Sequence, residues 1–185
     1  MKKPSKEEPG MAESVMEPPV AEKPYIKKSF VLMMDGRYRQ WDVIAKVGDG
    51  FVVLSHEAMY HVGYGETNRW RDCFLRSYLH DVWLAPIREG LSLKNVSPDE
   101  LLLYQTESSR DRIFILSKEE HTKWKQSIPN KSTPYWLRTP YGHLHIPYVW
   151  ITTSEGHHVG ESVHNSNIGI VPAIYLTEQA IELLC

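Results

Sequence analysis

Three short apolar runs, separated by turn residues, open the folded part of the chain. Residues 30–34 predict a strand, and the Asp-Gly pair at 35–36 predicts a turn after it. Residues 41–47 predict a second strand, and the Gly-Asp-Gly sequence at 48–50 predicts a tight turn into a third strand at 51–55. The second and third strands are therefore expected to pair as a hairpin.

A helical period follows these strands. Large apolar residues recur at spacings of three and four between residues 70 and 83, which predicts one helix that ends at Pro86. Ser97 and Pro98 are typical of a helix start, so a short second helix is expected over 98–104. The residues expected on the apolar face of the first helix are Trp70, Phe74, Leu75, Tyr78, Leu79 and Val82.

The rest of the chain predicts one further helix and several strands. Residues 112–116 predict a short strand, and Ser117 followed by Glu120 forms a capping-box pattern for a helix that carries Trp124. Strands, helices and then strands predict an α+β domain with a mostly antiparallel sheet. The later strands are predicted at 135–138, 148–153, 157–163 and 168–176, and residues 177–184 are either a final helical turn or a pendant tail.

Composition divides the chain into a tail and a folded domain. Residues 1–28 contain five prolines and interleaved lysine and glutamate, with few large apolar side chains. Such a segment buries too little apolar surface to offset its loss of conformational entropy, so it is expected to be a disordered tail or tether. A docking peptide for a partner is the alternative. The folded domain is expected at 29–177, with a short C-terminal extension at 178–185.

Charge, hydropathy and cysteine content limit the classes of partner and the cellular locations that are expected. The 185-residue chain is 42% hydrophobic with a net charge of −2, so its charge does not favour nucleic acid as a partner. No apolar stretch reaches the roughly 20 residues that a transmembrane helix needs, and no signal-peptide core follows the basic start. The protein is expected to be cytoplasmic or associated with a phage particle. Cys73 and Cys185 are expected to be free thiols.

Four short signatures lie in fixed order along the folded part. They are WRDCFLR at 70–76, DRIFILS at 111–117, WLRTP at 136–140 and VPA at 171–173. Together they resemble an uncharacterised bacterial domain family with the motifs W-x-x-S-x-L-R, D-x-V-F-L-L-S-x-x-E, W-L-R-S-P and V-R-P-A-L. That family in turn resembles the scaffold shared by C-type lectins, formylglycine-generating enzymes and the variable receptor proteins of diversity-generating retroelements. The resemblance implies a C-type-lectin-like α+β fold with two main helices.

Three positions depart from the pattern of the family. Val171 stands where the family has an arginine before Pro-Ala, which puts a polar site at that corner in doubt. Cys73 replaces a small serine in the first helix, and His80 replaces an asparagine. None of these changes alters the fold that the resemblance implies.

Three charged residues, Arg76, Asp111 and Arg138, lie inside apolar signatures. Because an unpaired buried charge is very costly, each arginine is expected to pair with a carboxylate, with Asp72 or Asp111 as the partner. Such pairs would tie the helix to the sheet. A catalytic or ligand-clamping role is the alternative, since perturbed charges cluster at functional sites.

The stretch from 141 to 167 is rich in tyrosine, histidine, serine and asparagine. Aromatic side chains supply large contact areas at low entropic cost, and Ser and Asn supply adaptable hydrogen bonds, so this stretch predicts a surface that binds a protein or a glycan. Ordinary polar loops, or a structural module of a phage particle or envelope assembly, are the alternatives. The candidate binding residues are Tyr141, His143, His145, Tyr148, Trp150, His157, His158, His164, Asn165 and Asn167.

The same histidines suggest a different function. His143 and His145 are two residues apart, a spacing that on a strand would place both imidazoles on one face, where they could hold zinc or nickel. A metal-binding protein or metal-dependent enzyme is therefore the alternative, although no acidic or cysteine ligand stands at a diagnostic spacing. The chain has no phosphate-binding glycine loop, nucleophile elbow, zinc-protease motif or calcium-lectin tripeptide, and its two cysteines make a poor reactive pair. A non-enzymatic protein without a cofactor is expected.

Overall fold

The computed structural model describes residues 28–92, 96–104, 111–142 and 146–185. The segment at 1–27, which holds almost all of the predicted tail, lies outside the described residues. The described strands are β1 (Lys28–Met34), β2 (Arg37–Val47), β3 (Gly50–Ser55), β4 (Met59–His61), β5 (Leu102–Leu103), β6 (Ile113–Phe114), β7 (Tyr135–Pro140), β8 (Tyr148–Thr152), β9 (His158–Ser162), β10 (Gly169–Ile170) and β11 (Ala173–Thr177). The α-helices are α1 (Phe74–Tyr78), α2 (Leu84–Gly90), α3 (Pro98–Leu101), α4 (Lys118–Trp124) and α5 (Glu178–Leu184).

The strands form two sheets. The first has the order β1-β2-β3-β11-β5, and β6 also pairs with β11. The second has the order β4-β10-β7-β8-β9. Every pair in the described part of the chain is antiparallel except β7 with β10. The α+β class and the mostly antiparallel pairing are confirmed, but the strands are divided between two sheets rather than one.

The first three strands follow the local sequence pattern. Asp35 and Gly36 have φ values of 54° and 68°, the left-handed conformation that a two-residue hairpin turn requires. This turn sets Met34 opposite Arg37 in the β1–β2 pair. The predicted strands and turns of this region are confirmed.

The helical segment differs from its prediction at both ends. A 3₁₀ turn at Trp70–Asp72 precedes the extended residue Cys73, and α1 begins after it. The helix then continues through a π-helical turn at Leu79–Trp83 into α2, so Pro86 does not end it. The amide of Leu84 donates to the carbonyl of Leu79, five residues back, and this widened turn precedes the proline, which has no amide hydrogen.

The buried face of this segment also differs from its prediction. Phe74 and Val82, which were predicted to be buried, are about half exposed, at 53% and 47%. The helical residues buried against the first sheet recur every four positions and continue past the predicted end of the helix. They are Leu75, Leu79, Trp83, Ile87 and Leu91.

The strand predicted at 168–176 is two strands in different sheets. β10 pairs with β4 and β7, whereas β11 pairs with β3, β5 and β6, and Val171 and Pro172 join them. Pro172 supplies no amide hydrogen for a ladder, so the chain changes sheets there. The short helix predicted at 98–104 ends at Leu101 and passes into β5. The final helix α5, capped by Thr177, buries Ala180 and Ile181.

Two apolar clusters lie on the two faces of the first sheet. The larger one joins the sheet to the helical segment and to Trp136, Val149 and Ile151 of the second sheet. The smaller one contains Val171 and side chains from β2, β3, β6 and β7. The corner where the family has an arginine is therefore apolar core in this chain. Within the described ranges, no helix is long and apolar enough to cross a membrane.

Candidate functional site

Asp111 joins the helical segment to the strand β6. Its carboxylate is fully buried and accepts hydrogen bonds from the indole of Trp70, at 2.8 Å, and from Nε of Arg76, at 2.9 Å. His80 Nε2 lies 3.2 Å from the same carboxylate. Burial alone would raise the pKa of Asp111, but these contacts, with His80 first, outweigh burial and hold the pKa at about 2. The first two signatures thus meet in one structural ion-pair network.

Arg138 pairs with Glu120, not with Asp72 or Asp111. Its guanidinium makes two bonds to the Glu120 carboxylate, at 2.6 and 2.7 Å, and a third to the carbonyl of Ile115. Glu120 also accepts from the amide of Ser117, which completes the predicted capping box. The carboxylate that was expected to serve only the helix start therefore also fixes α4 against β7.

The candidate binding residues on β8 lie on the face of the second sheet opposite Val149 and Ile151, where Trp150 packs against the smaller apolar cluster. Tyr148, Trp150 and Thr152 alternate with the core residues Val149 and Ile151, so they share one face. Tyr148 is exposed, Trp150 is half-buried and Thr152 is buried. Solvent exposure of this face therefore decreases along β8. We call the end at Tyr148 the open end and the end at Thr152 the closed end.

An aromatic surface, which consists of Tyr141, Tyr148 and Trp150, lies at the open end of this face. The rings of Tyr141 and Trp150 meet edge to face with centroids 4.6 Å apart, and Tyr141 and Tyr148 lie 6.5 Å apart. Tyr141 and Tyr148 are each about 40% exposed. Gly160, opposite Trp150 in β9, provides the space for the Tyr141 ring, because a Cβ there would lie 2.6 Å from it.

A cation from α4 also contacts the aromatic surface. Nζ of Lys118, the first residue of α4, lies 3.4 Å from the ring centroid of Trp150. This is close enough for a strong cation–π interaction, so Lys118 and Tyr141 together hold the indole in place. The aromatic surface therefore has a fixed geometry and a positive charge on one side.

A chain of three polar side chains lies at the closed end of the same face. His158 Nε2 is 2.9 Å from His121 Nδ1, and His121 Nε2 is 2.6 Å from the hydroxyl of Tyr135. Burial, followed by the charge of His158, lowers the pKa of His121 to about 4. Burial raises the pKa of Tyr135 to about 12. His158 is therefore bonded to the buried His121 while its own side chain stays partly exposed.

The other two candidate histidines within the described ranges, His157 and His164, lie apart from each other. His157 precedes β9 and His164 follows it, so about 13 Å of strand separates the two ends. His143 and His145 lie outside the described residues. In the part of the chain that the structure describes, no three metal-ligating side chains come together. Asn165 and Asn167 share the loop after β9, where the Asn165 side chain accepts from the amide of Asn167.

The sequence reasoning missed four residues that shape this face: Lys118, His121, Tyr135 and Gly160. The sequence does carry a signal for Lys118 and His121. The start of their helix is marked by the capping box, and residues three apart on a helix share one face. For Gly160, an isolated glycine inside a strand is itself a sign of a close approach. The contact of Tyr135 with His121 depends on packing between distant segments.

We expect replacement of Gly160 with alanine to displace the Tyr141 ring, since the new methyl group would overlap it. The expected cost is about 1 kcal/mol of folding free energy, because the ring can rotate toward solvent. The nuclear Overhauser contacts between Tyr141 and Trp150 should disappear. Val159→Ala, at an exposed neighbour on β9, is the matched control and should preserve them. Retention of these contacts in the Gly160 variant would contradict the described packing.

Comparison of the chain with protein-family models, curated proteins and solved structures finds no match.

Proposed function

We propose that this protein is a non-enzymatic recognition module with a C-type-lectin-like scaffold, and that it binds a protein or glycan through the aromatic surface. The α+β architecture and the four signatures support this scaffold. One observation carries the functional part: three aromatic side chains are held together at the open end of a sheet face and remain partly exposed.

The aromatic surface has the properties of a binding surface formed in advance. Trp150 is contacted by Lys118 on one side and by Tyr141 on another, and such contacts reduce the side-chain entropy that is lost on binding. Tyr141 and Tyr148 offer ring faces for packing and hydroxyls for hydrogen bonds. These features suit the apolar face of a sugar ring or a side chain of a protein partner.

A second exposed apolar group serves as an internal comparison. Val31, Met33 and Tyr38 of the β1–β2 hairpin are 55%, 53% and 75% exposed. Their strands β1 and β2 belong to the other sheet, and within the residues that the structure describes none of these three side chains makes a ring or cation–π contact. Met33 and Tyr38 are partners across the hairpin and Val31 lies on the same face, so these residues are neighbours. We assign recognition to the aromatic surface because its side chains also contact one another.

The proposal is tested by screening the full chain against a glycan array and a displayed-peptide library. The variant Tyr148→Ala/Trp150→Ala should bind any selected ligand at least about tenfold more weakly, because aromatic anchors typically contribute more than 1 kcal/mol each. Tyr38→Ala removes a more exposed tyrosine on the other sheet and is the control. Thermal unfolding of both variants checks that the fold is retained. Undiminished binding by the double variant would place the recognition surface elsewhere.

A further inference from the structure

A small cavity lies at the closed end of the same sheet face, beyond the aromatic surface. It is bounded by α4 and the loop after it, by β7, and by the turn between β8 and β9. Its volume is about 60 Å³, several times the roughly 10–15 Å³ that one water molecule needs. The side chains important for its chemistry are His121, Lys125, Lys131, Tyr135, Thr152 and Ser154.

The lining of this cavity carries positive charge and no carboxylate. Lys125 and Lys131 both line it, and the one carboxylate described beside it is that of the exposed Glu155, which accepts a hydrogen bond from the lining residue Ser154. Lys131 is buried and donates to the carbonyls of Ser55 and His56, at 2.8 and 2.6 Å. Lys125 is exposed at the rim, and no carboxylate pairs with it among the described residues. Both lysines also contribute to the lowered pKa of His121, so their field reaches the cavity wall.

The buried wall of the cavity offers an unused hydroxyl. Thr152 is 1% exposed, and its Oγ1 has no partner in hydrogen-bonding geometry within the described ranges. A buried polar atom without a partner costs about 1–3 kcal/mol, so a partner is expected to fill this place. The Tyr135 hydroxyl is bonded to His121 and lies near enough to the Thr152 hydroxyl to affect the pKa of Tyr135, but the two hydroxyls do not reach hydrogen-bonding geometry.

We propose that this cavity binds a small oxyanion or carboxylate group, which accepts a hydrogen bond from the Thr152 hydroxyl and lies in the field of Lys125. The volume suits one phosphate, sulfate or carboxylate group. The group would be either a free ion or the acidic substituent of a larger ligand such as a sugar acid. This inference does not depend on the aromatic surface, and its residues are different.

The test is a titration of the isotope-labelled full chain, followed by NMR, with phosphate, acetate, glucuronate and neutral glucose. Ionic strength is held constant with chloride, so that general screening does not change. We expect saturable shifts at the amides of residues 152–156 with the anions and none with glucose. Tighter binding of glucuronate than of acetate would identify an acidic saccharide as the source, and similar binding of both would identify a free ion.

Two variants distinguish the site from general attraction by lysines. Lys125→Met and Thr152→Val should each weaken anion binding about fivefold or more, the equivalent of one lost hydrogen bond or charge contact. Lys123→Met removes the same charge from the same helix but from outside the cavity lining, and should have no effect. Unsaturable shifts, shifts outside the cavity, or equal losses in the two lysine variants would overturn the proposal.

Discussion

Replacing Asp111 with alanine is expected to lower the free energy of unfolding by about 3–5 kcal/mol, the range measured when one partner of a buried ion pair is removed. The variant leaves the Arg76 guanidinium and the Trp70 indole without the carboxylate that both contact. Chemical denaturation of the full chain measures the change. A loss of this size is a large part of the total stability of a domain, which is typically about 5–15 kcal/mol.

The matched control for this variant is Asp72→Ala. Asp72 is exposed and is the other carboxylate that the sequence offered as a partner for the arginines, so its loss should change stability by less than about 0.5 kcal/mol.

Because the pKa of Asp111 is about 2 in the folded state and higher in the unfolded chain, its contribution is present above about pH 4 and is lost as the pH falls toward 2. Equal effects of the two variants would contradict the Asp111 network.

Acidification from pH 6.5 to pH 4 is expected to remove about 3 kcal/mol of stability through His121. The pKa of this imidazole is about 4 in the folded state and near 6.5 in the unfolded chain. Between these values the unfolded chain binds more protons, so stability is highest above pH 6.5 and declines as the pH falls. The physical cause is that His121 is buried against Tyr135 and His158, with Lys118, Lys125 and Lys131 on the surrounding elements.

The variant His121→Phe separates this effect from other acid-sensitive groups. Phenylalanine keeps a ring in the cavity but cannot be protonated, so the decline between pH 6.5 and 4 should become smaller by most of the 3 kcal/mol. His164→Ala, at an exposed histidine, should keep the full decline. Urea denaturation midpoints at several pH values measure both. An unchanged pH profile in His121→Phe would show that another group controls acid sensitivity.

Local chemistry was sufficient to predict several parts of the fold. The Asp-Gly turn, the Gly-Asp-Gly turn and the Ser117 capping box each depend on residues within four positions of one another, and all three are present. The need of Arg76 for a buried carboxylate was also clear from its apolar neighbours, and Asp111 provides it. These features follow from backbone conformation and from the cost of burying charge.

Features that depend on packing between distant segments could not be predicted from one sequence. The helix continues past Pro86 because a π-helical turn precedes the proline, and no residue pattern marks that turn. The pairing of Arg138 with Glu120 depends on α4 lying across β7. No sequence pattern singles out His121, because its contacts with Tyr135 and His158 depend on how α4 packs against the second sheet.

The signature residues are explained mainly by folding. The first and second signatures meet at Asp111, the second and third meet through Glu120 and Arg138, and the fourth begins in apolar core at Val171. Functional residues are therefore expected outside these core contacts, on the face that carries the aromatic surface and the cavity.

The central claim, that ligands bind the aromatic surface, is tested most directly by chemical-shift mapping with the tightest ligand from the array and library screens. In the labelled full chain, the largest shifts should occur at the Trp150 indole and at the ring signals of Tyr141 and Tyr148. If the largest shifts instead fall on Val31, Met33 and Tyr38 of the β1–β2 hairpin, the recognition surface lies on the other sheet and the claim is wrong.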